Sequence, residues 1–193
     1  MNVPIEISAR HFHATEKDYR TLFGDDEPKV VKELSQKGQF ASDKEARLMV
    51  GDQEVSVRFL GPYRHFTQVE ITKTDSYKLK INPPVAECIC DTLDGIAASG
   101  AIATLKGPNG EITRDLVIVA LRHLHINTKL AAELGIKADD YVRIAAGNER
   151  RIIFDKVLCR VNDMFTFDIH LDTDEANAAG VSPRDEAELL IES

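Results

Sequence analysis

A mainly β chain of short strands and tight turns, as in barrels or a sandwich, is what this sequence predicts. Three observations carry the prediction. Short runs rich in apolar and β-branched residues recur, each bounded by Gly, Pro, Asn or Asp. Pairs of these runs flank turn sequences of hairpin type. The helical stretches are few, and three of them share one pattern. With 193 residues, 43% of them hydrophobic and 29% charged, the chain can bury a proper core, which argues against disorder.

Arg10-His11-Phe12-His13 opens the first patterned unit; Thr15 is the expected N-cap, a helix runs through Phe23, and Gly24 stops it. Arg47-Leu48-Met49-Val50 and Glu54-Val55-Ser56-Val57-Arg58-Phe59-Leu60 flank Gly51-Asp52, a hairpin signal. Gly61-Pro62-Tyr63-Arg64 must turn. Thr67-Gln68-Val69-Glu70-Ile71-Thr72 alternates as a strand, with Gln68, Glu70 and Thr72 on one face. Asn82-Pro83-Pro84 breaks any strand before it, and residues 94–100 read as loop. Neither is long or polar enough for a flexible interdomain linker. Residues 101–106 and 111–120 flank Gly107-Pro108-Asn109-Gly110, a second hairpin.

The second unit is Arg122-His123-Leu124-His125, then Asn127-Thr128, a helix over 129–134, and Gly135. A third hairpin pairs Tyr141-Val142-Arg143-Ile144 with Arg151-Ile152-Ile153-Phe154 around Gly147-Asn148. The third unit is Asp168-Ile169-His170, then Asp172-Thr173, a helix over 174–179, and Gly180. Thr before and Gly after each helix are the expected caps. The spacing from His125 to Gly135 equals that from His170 to Gly180, and a strand follows both Asp140 and Asp185. This is a recurring strand–helix–turn–strand unit, consistent with duplication and with two related barrels.

Composition excludes several functions. Lys and Arg number 24 against 32 Asp and Glu, a net charge of −8, which argues against a general nucleic-acid binder but not against a small polyanion held locally. No apolar stretch approaches the roughly 20 residues of a membrane span. The start, Met1 to Ile7, has no signal-peptide pattern, so the chain is expected to stay where it is made. Cys88, Cys90 and Cys159 do not form a disulfide framework or a Cys-x-x-Cys zinc site, and fit a reducing cytoplasm with structural burial. Aromatic content of 6%, with no Trp, offers little for base stacking or a carbohydrate platform. There is no P-loop, no Gly-x-Gly-x-x-Gly and no Gly-x-Ser-x-Gly.

Five of the six histidines sit in the strands that open the three units. Residues i and i+2 of a strand share a face, so His11 and His13 project together, as do His123 and His125. Each pair is either half of a zinc site or two hydrogen-bonded histidines. Two pairs plus His170, each just before a helix, favour metal. A carboxylate is the natural missing ligand. Glu70 completes or bridges a site, or is a solvated strand glutamate. His65 has no matching context and is not read as a ligand. Arg64, displayed on a turn, can clamp a phosphate or carboxylate bidentately. Asp172, Asp174 and Glu175 read as first-turn charges complementing a helix dipole rather than as a calcium loop.

Six motifs in order resemble one family. They are Arg10-His11-Phe12-His13; Leu34-Ser35-Gln36-Lys37-Gly38-Gln39-Phe40; Leu60-Gly61-Pro62-Tyr63-Arg64; Thr67-Gln68-Val69-Glu70-Ile71; Arg122-His123-Leu124-His125; and His170-Leu171-Asp172-Thr173-Asp174-Glu175-Ala176-Asn177-Ala178-Ala179-Gly180. From Val3 to about Ile191 the chain resembles the PduL-type phosphotransacylases, the phosphate propanoyltransferases. The resemblance implies two β-barrels capped by short α-helices, with the active site between them: residues 1–9 plus 121–193 as one barrel, 10–120 as the other. It implies two Zn2+ per chain, one on His11, His13 and Glu70, the other on His123, His125 and His170. It places phosphate on Arg64, and coenzyme A on Ser8, Lys32, Arg58, Leu60 and Asn177.

The implied reaction is acyl-CoA plus phosphate giving acyl phosphate plus CoA, with propanoyl-CoA or acetyl-CoA as substrate. Further partners that fit are a second copy of the chain, an acyl kinase, and microcompartment shell or core proteins; no nucleic acid and no membrane are expected. The chain is placed in the cytoplasm or in the lumen of a bacterial microcompartment. Many members carry an amphipathic N-terminal extension for encapsulation, whereas this chain begins almost directly at the first barrel strand, which argues against that route. Ala9 also stands where Asn is common. Two alternatives are a zinc-dependent acyl-CoA or thioester hydrolase, and a non-catalytic zinc-binding microcompartment protein. Three ligands per ion leave open positions, which favours catalysis over a closed structural site.

Overall fold

Four short strands, each running almost at once into a helix, organise the chain. In this computed structural model, residues 1–88 and 100–190 are described. The elements in order are β1 (Asn2–Ser8), β2 (His11–His13), α1 (Glu16–Phe23), β3 (Val30–Glu33), β4 (Phe40–Val50), β5 (Gln53–Gly61), β6 (Gln68–Glu70), α2 (Lys73–Leu79) and β7 (Val85–Ala86). There follow β8 (Ala101–Lys106), β9 (Glu111–Ala120), β10 (His123–Ile126), α3 (Thr128–Leu134), β11 (Tyr141–Ala146), β12 (Ile152–Val161), β13 (Asp168–Asp172), α4 (Thr173–Ala179) and β14 (Glu186–Leu190).

Over these residues the chain forms two compact units. One is Met1–Ala9, Ser35–Lys37 and Leu121–Ser193; the other is Arg10–Leu34 and Gly38–Ala120. The first is a closed barrel in the order β1-β13-β10-β12-β11-β14. The second also closes, because β8 pairs with both β4 and β9: its ring is β4-β5-β2-β6-β9-β8, with β3 and β7 added outside β4 and β9. Closure removes the unpaired edges that a sandwich leaves.

Each barrel is internally two-fold. In the first, β10 lies parallel to β12 and β13 parallel to β1, while β10 and β13 pair antiparallel. In the second, β2 lies parallel to β5 and β6 parallel to β9, while β2 and β6 pair antiparallel. The repeat extends to backbone detail. Asp139 and Arg184 both take positive φ, 68° and 74°, and the N–H groups of Lys137 and Ser182 donate to the carboxylates of Asp140 and Asp185 at 2.7 and 2.8 Å. Gly135 and Gly180 supply the left-handed residue that ends α3 and α4.

Alternation fills the two cores. Val3, Ile5, Leu124, Ile126, Ile144, Val157, Ile169 and Leu171 close one barrel; Phe12, Leu48, Val57, Phe59, Val69, Leu105 and Val117 close the other, with Tyr19 and Leu22 of α1 against them. These chains are almost wholly withdrawn from water, which is the main favourable term for a fold of such short elements.

The three hairpins form where expected, and 101–106 with 111–120 match β8 and β9 residue for residue. β4 begins seven residues earlier than the apolar run, at Phe40, because Asp43-Lys44-Glu45 masks an alternation that carries Ser42, Lys44 and Ala46 inward. Thr15 caps α1 through its hydroxyl, as expected. The other N-caps are Asn127 and Asp172, not Thr128 and Thr173, because the amide and carboxylate oxygens accept from the N–H three residues on; Glu175 completes a capping box. The strand expected over 67–72 is only Gln68–Glu70, and Thr72 instead caps α2. Cys88 and Cys159 are buried; Cys90 and the loop expected over 94–99 lie outside the described residues. Among the described residues, no helix is long and apolar enough to cross a membrane.

Candidate metal centres

The helix that follows each short strand fixes where that strand's side chains point. Thr15, Thr72, Asn127 and Asp172 are N-caps, and two residues before each stand His13, Glu70, His125 and His170. Two residues earlier again stand His11, Gln68, His123 and Asp168. The four capped units therefore carry eight polar side chains on equivalent strand positions, six of which are the predicted metal ligands.

In the second barrel, β2 and β6 pair so that His11 faces Glu70 and His13 faces Gln68. All four residues are buried. His11 Nε2 lies 3.5 Å from Glu70 Oε2, and the ligand atoms of His11, His13 and Glu70 lie within 4.8 Å of one another. His13 Nδ1 donates to the Leu60 carbonyl at 3.0 Å, which leaves its Nε2 lone pair for a ligand. Burial, then His11 and Arg64 nearby, hold the His13 imidazole down to about 3, so it is neutral near pH 7.

In the first barrel, β10 and β13 pair so that His123 faces His170 and His125 faces Asp168. The ligand atoms of His123, His125 and His170 also fall within 4.8 Å of one another, with ring centroids 4.6 to 4.8 Å apart. His123 Nδ1 donates to the Leu121 carbonyl at 2.9 Å, while its buried Nε2 has no hydrogen-bond partner. Burial, with His170, His125 and Arg160, holds His123 well below the usual histidine range. Three imidazoles converging in a largely buried site, with the Nε2 atoms of His123 and His170 both lacking a hydrogen-bond partner, fit a divalent cation of borderline softness such as zinc.

Arg64 is half-buried on the turn after β5. Its N–H donates to Ala14 O at 2.8 Å, and its guanidinium is close enough to depress His13. Of the positions assigned to coenzyme A, Ser8 ends β1 opposite Asp172, Asn177 is exposed on α4, Lys32 is exposed on β3, and Leu60 lies on β5. Arg58 faces His11 across the parallel pairing, but its guanidinium donates to Ser42 O at 2.7 Å and to Glu45 Oε1. His65 is exposed and is in neither of these groups.

Sequence reasoning passed over Asp168 and Gln36 as functional residues. Asp168 is buried; its carboxylate accepts from His125 Nδ1 at 3.2 Å and from Gln36 Nε2 at 2.9 Å. Burial alone would raise this acid, but the hydrogen bond from His125 and the His170 imidazole beside it outweigh that and hold the carboxyl well below the usual range. The signal available was spacing, since Asp168-x-His170 repeats the i, i+2 form of His11-x-His13 and His123-x-His125.

Comparison with known proteins places the chain in a family. A model described as phosphate propanoyltransferase matches residues 4–182. The phosphate propanoyltransferase of Thermotoga maritima is 42% identical over 186 residues, which cover 94% of this chain and 85% of that protein. The protein of that name from Alkaliphilus metalliredigens is 39% identical over 95% of this chain and 85% of its own length. That of Citrobacter freundii is 39% identical over 92% and 83%.

Proposed function

The chain belongs to the phosphate propanoyltransferase family of acyltransferases, and from that premise we propose that it exchanges phosphate and CoA on a short acyl group, propanoyl or acetyl, with one zinc ion on each three-ligand group. The observation that carries the reading is the pair of groups His11-His13-Glu70, buried, and His123-His125-His170, largely buried, inside a match that spans nearly the whole chain. Zinc held there supplies Lewis-acid polarisation of a thioester carbonyl, with coordination positions left for substrate.

The chain's own residues do the rest. Arg64 pairs its two-pronged guanidinium with phosphate and holds the nucleophile in place, which offsets the entropy of bringing an anion to the thioester. A phosphate oxygen forms a bond to the acyl carbon, the carbon–sulfur bond breaks, and CoA leaves as thiolate and takes up a proton. Leu60 O and Leu121 O fix the tautomers of His13 and His123, so the imidazoles act as ligands rather than as acids. Glu70, as a ligand, is not a free general base. Ser8, Lys32, Arg58, Leu60 and Asn177 are the positions assigned to CoA. The cytoplasm or a microcompartment lumen, where acyl-CoA and phosphate meet, is the setting of the reaction.

CoA release from acetyl-CoA and propanoyl-CoA, with and without phosphate, tests the reading on protein assayed for metal. Release that requires both phosphate and metal is expected, and the faster substrate names the acyl group. Equal release without phosphate turns the reading toward a hydrolase. No release from metal-loaded protein rejects it.

A further inference from the structure

Each barrel carries the same four-position frame, yet the two spend their acid differently. In the β2–β6 pair the acid is Glu70, at the place His170 holds in the other barrel, and Gln68 stands at the place of Asp168. One barrel thus puts its carboxylate in the ligand group, and the other puts it beside a ligand. Asp168 is 1% exposed, which is costly for a carboxylate unless it is paired. Its surroundings are specific: it accepts from His125 Nδ1 at 3.2 Å and from Gln36 Nε2 at 2.9 Å to each oxygen, and it lies 3.2 Å from His170 Nε2, which makes no hydrogen bond. Gln36 is locked in turn, because the same Nε2 donates to Thr166 O at 3.0 Å and its Oε1 accepts from Thr166 N at 3.1 Å.

We propose that Asp168, held by Gln36, is the positioning residue of the three-histidine group. It accepts from His125 Nδ1, so the remaining Nε2 lone pair is the one presented with His123 and His170. Its charge also supplies in that barrel what Glu70 supplies in the other, a counter-charge for a dication bound by imidazoles. This inference rests on the metal reading above.

The test titrates Co2+ alone into metal-free chain and follows ions bound and the cobalt absorption. The wild type is expected to bind two ions. Asp168→Asn, folded by circular dichroism, is expected to keep one ion at wild-type affinity and to bind the other about 10- to 100-fold more weakly, with a changed spectrum for that ion alone. Gln36→Met leaves the carboxylate but unlocks it, and weakens the same ion by a smaller factor. Asp168→Asn with both ions at wild-type affinity and an unaltered spectrum overturns the inference, and so does equal weakening of both ions. If Asp168→Asn does not fold, unchanged binding by Gln36→Met overturns it. A wild type that binds no Co2+ overturns the metal reading and this inference together, whereas two ions in the wild type with an unaffected Asp168→Asn overturns this inference alone.

Discussion

His11 and Glu70 face each other across the antiparallel pairing of β2 with β6, Nε2 to Oε2 at 3.5 Å, and His123 and His170 hold the same two places in β10 and β13. Each candidate ligand group is therefore drawn, among the described residues, from two strands. Its geometry depends on strand register, which a buried barrel core specifies strongly. Ligands on strands are also held more narrowly than ligands on loops, and here the helix caps fix where the strands end.

Replacing Glu70 by Gln keeps the shape of the side chain and removes its charge. Because Glu70 lies in the β2–β6 group alone, the variant is expected to lose the ion on His11 and His13 and to retain the ion on the three histidines. Turnover with phosphate should fall by about a hundredfold or more, the scale on which a transition-state charge stabiliser acts. Elemental analysis beside a CoA-release assay reads both, and two full ions in Glu70→Gln would remove Glu70 from the ligand set.

Arg64 lowers the basicity of His13, yet it is in neither candidate ligand group. Arg64→Ala should leave the metal content unchanged and raise the KM for phosphate about 10- to 100-fold, the loss expected for a charge-assisted pair of hydrogen bonds. Arg64→Lys keeps the charge without the planar fork and should recover only part of the loss. Phosphate saturation curves that match the wild type reject the clamp.

Thr72 Oγ1 accepts from the Asp75 N–H at 3.1 Å and caps α2, a helix of 7 residues with little to spare. Thr72→Ala should cost about 1 kcal/mol, a fall in Tm of roughly 2–4 °C for a chain of this size. Because Glu70 sits two residues ahead of this cap, the variant should also loosen the ion on His11 and His13. Thermal denaturation with and without added zinc separates the two effects.

α2 shows where the sequence stopped being legible. Thr72-Lys73-Thr74-Asp75 has the same Thr-x-x-Asp form as Thr15-Glu16-Lys17-Asp18, so a start signal was present. The stop signal was not, since Lys80 rather than Gly takes the left-handed position, with φ 57°. The two histidine pairs were readable because the i, i+2 rule is local. That Asp168 belongs behind His125 was not, because β10 meets β13 across 43 residues of chain, a register that no local pattern states. The family motifs named, across that gap, the same two residue groups that converge in the structure, but they did not include Asp168.

Removing metal should be felt in stability as well as in turnover. Both ligand groups exist only in the folded chain, since each takes residues from two strands distant in sequence. An ion that binds the folded state alone stabilises it by RT ln(1 + [L]/Kd), about 2.7 kcal/mol when free metal is a hundred times Kd. Two such ions correspond to a Tm difference on the order of ten degrees between zinc-loaded and chelator-treated chain. The difference should shrink by about half in Glu70→Gln, which keeps only one group intact. Re-addition of zinc should restore the wild-type value in full, because His13 and His123 are held neutral by burial and need shed no proton to bind. A Tm indifferent to chelation, in protein shown beforehand to carry two ions, would mean that the unfolded chain binds them equally well.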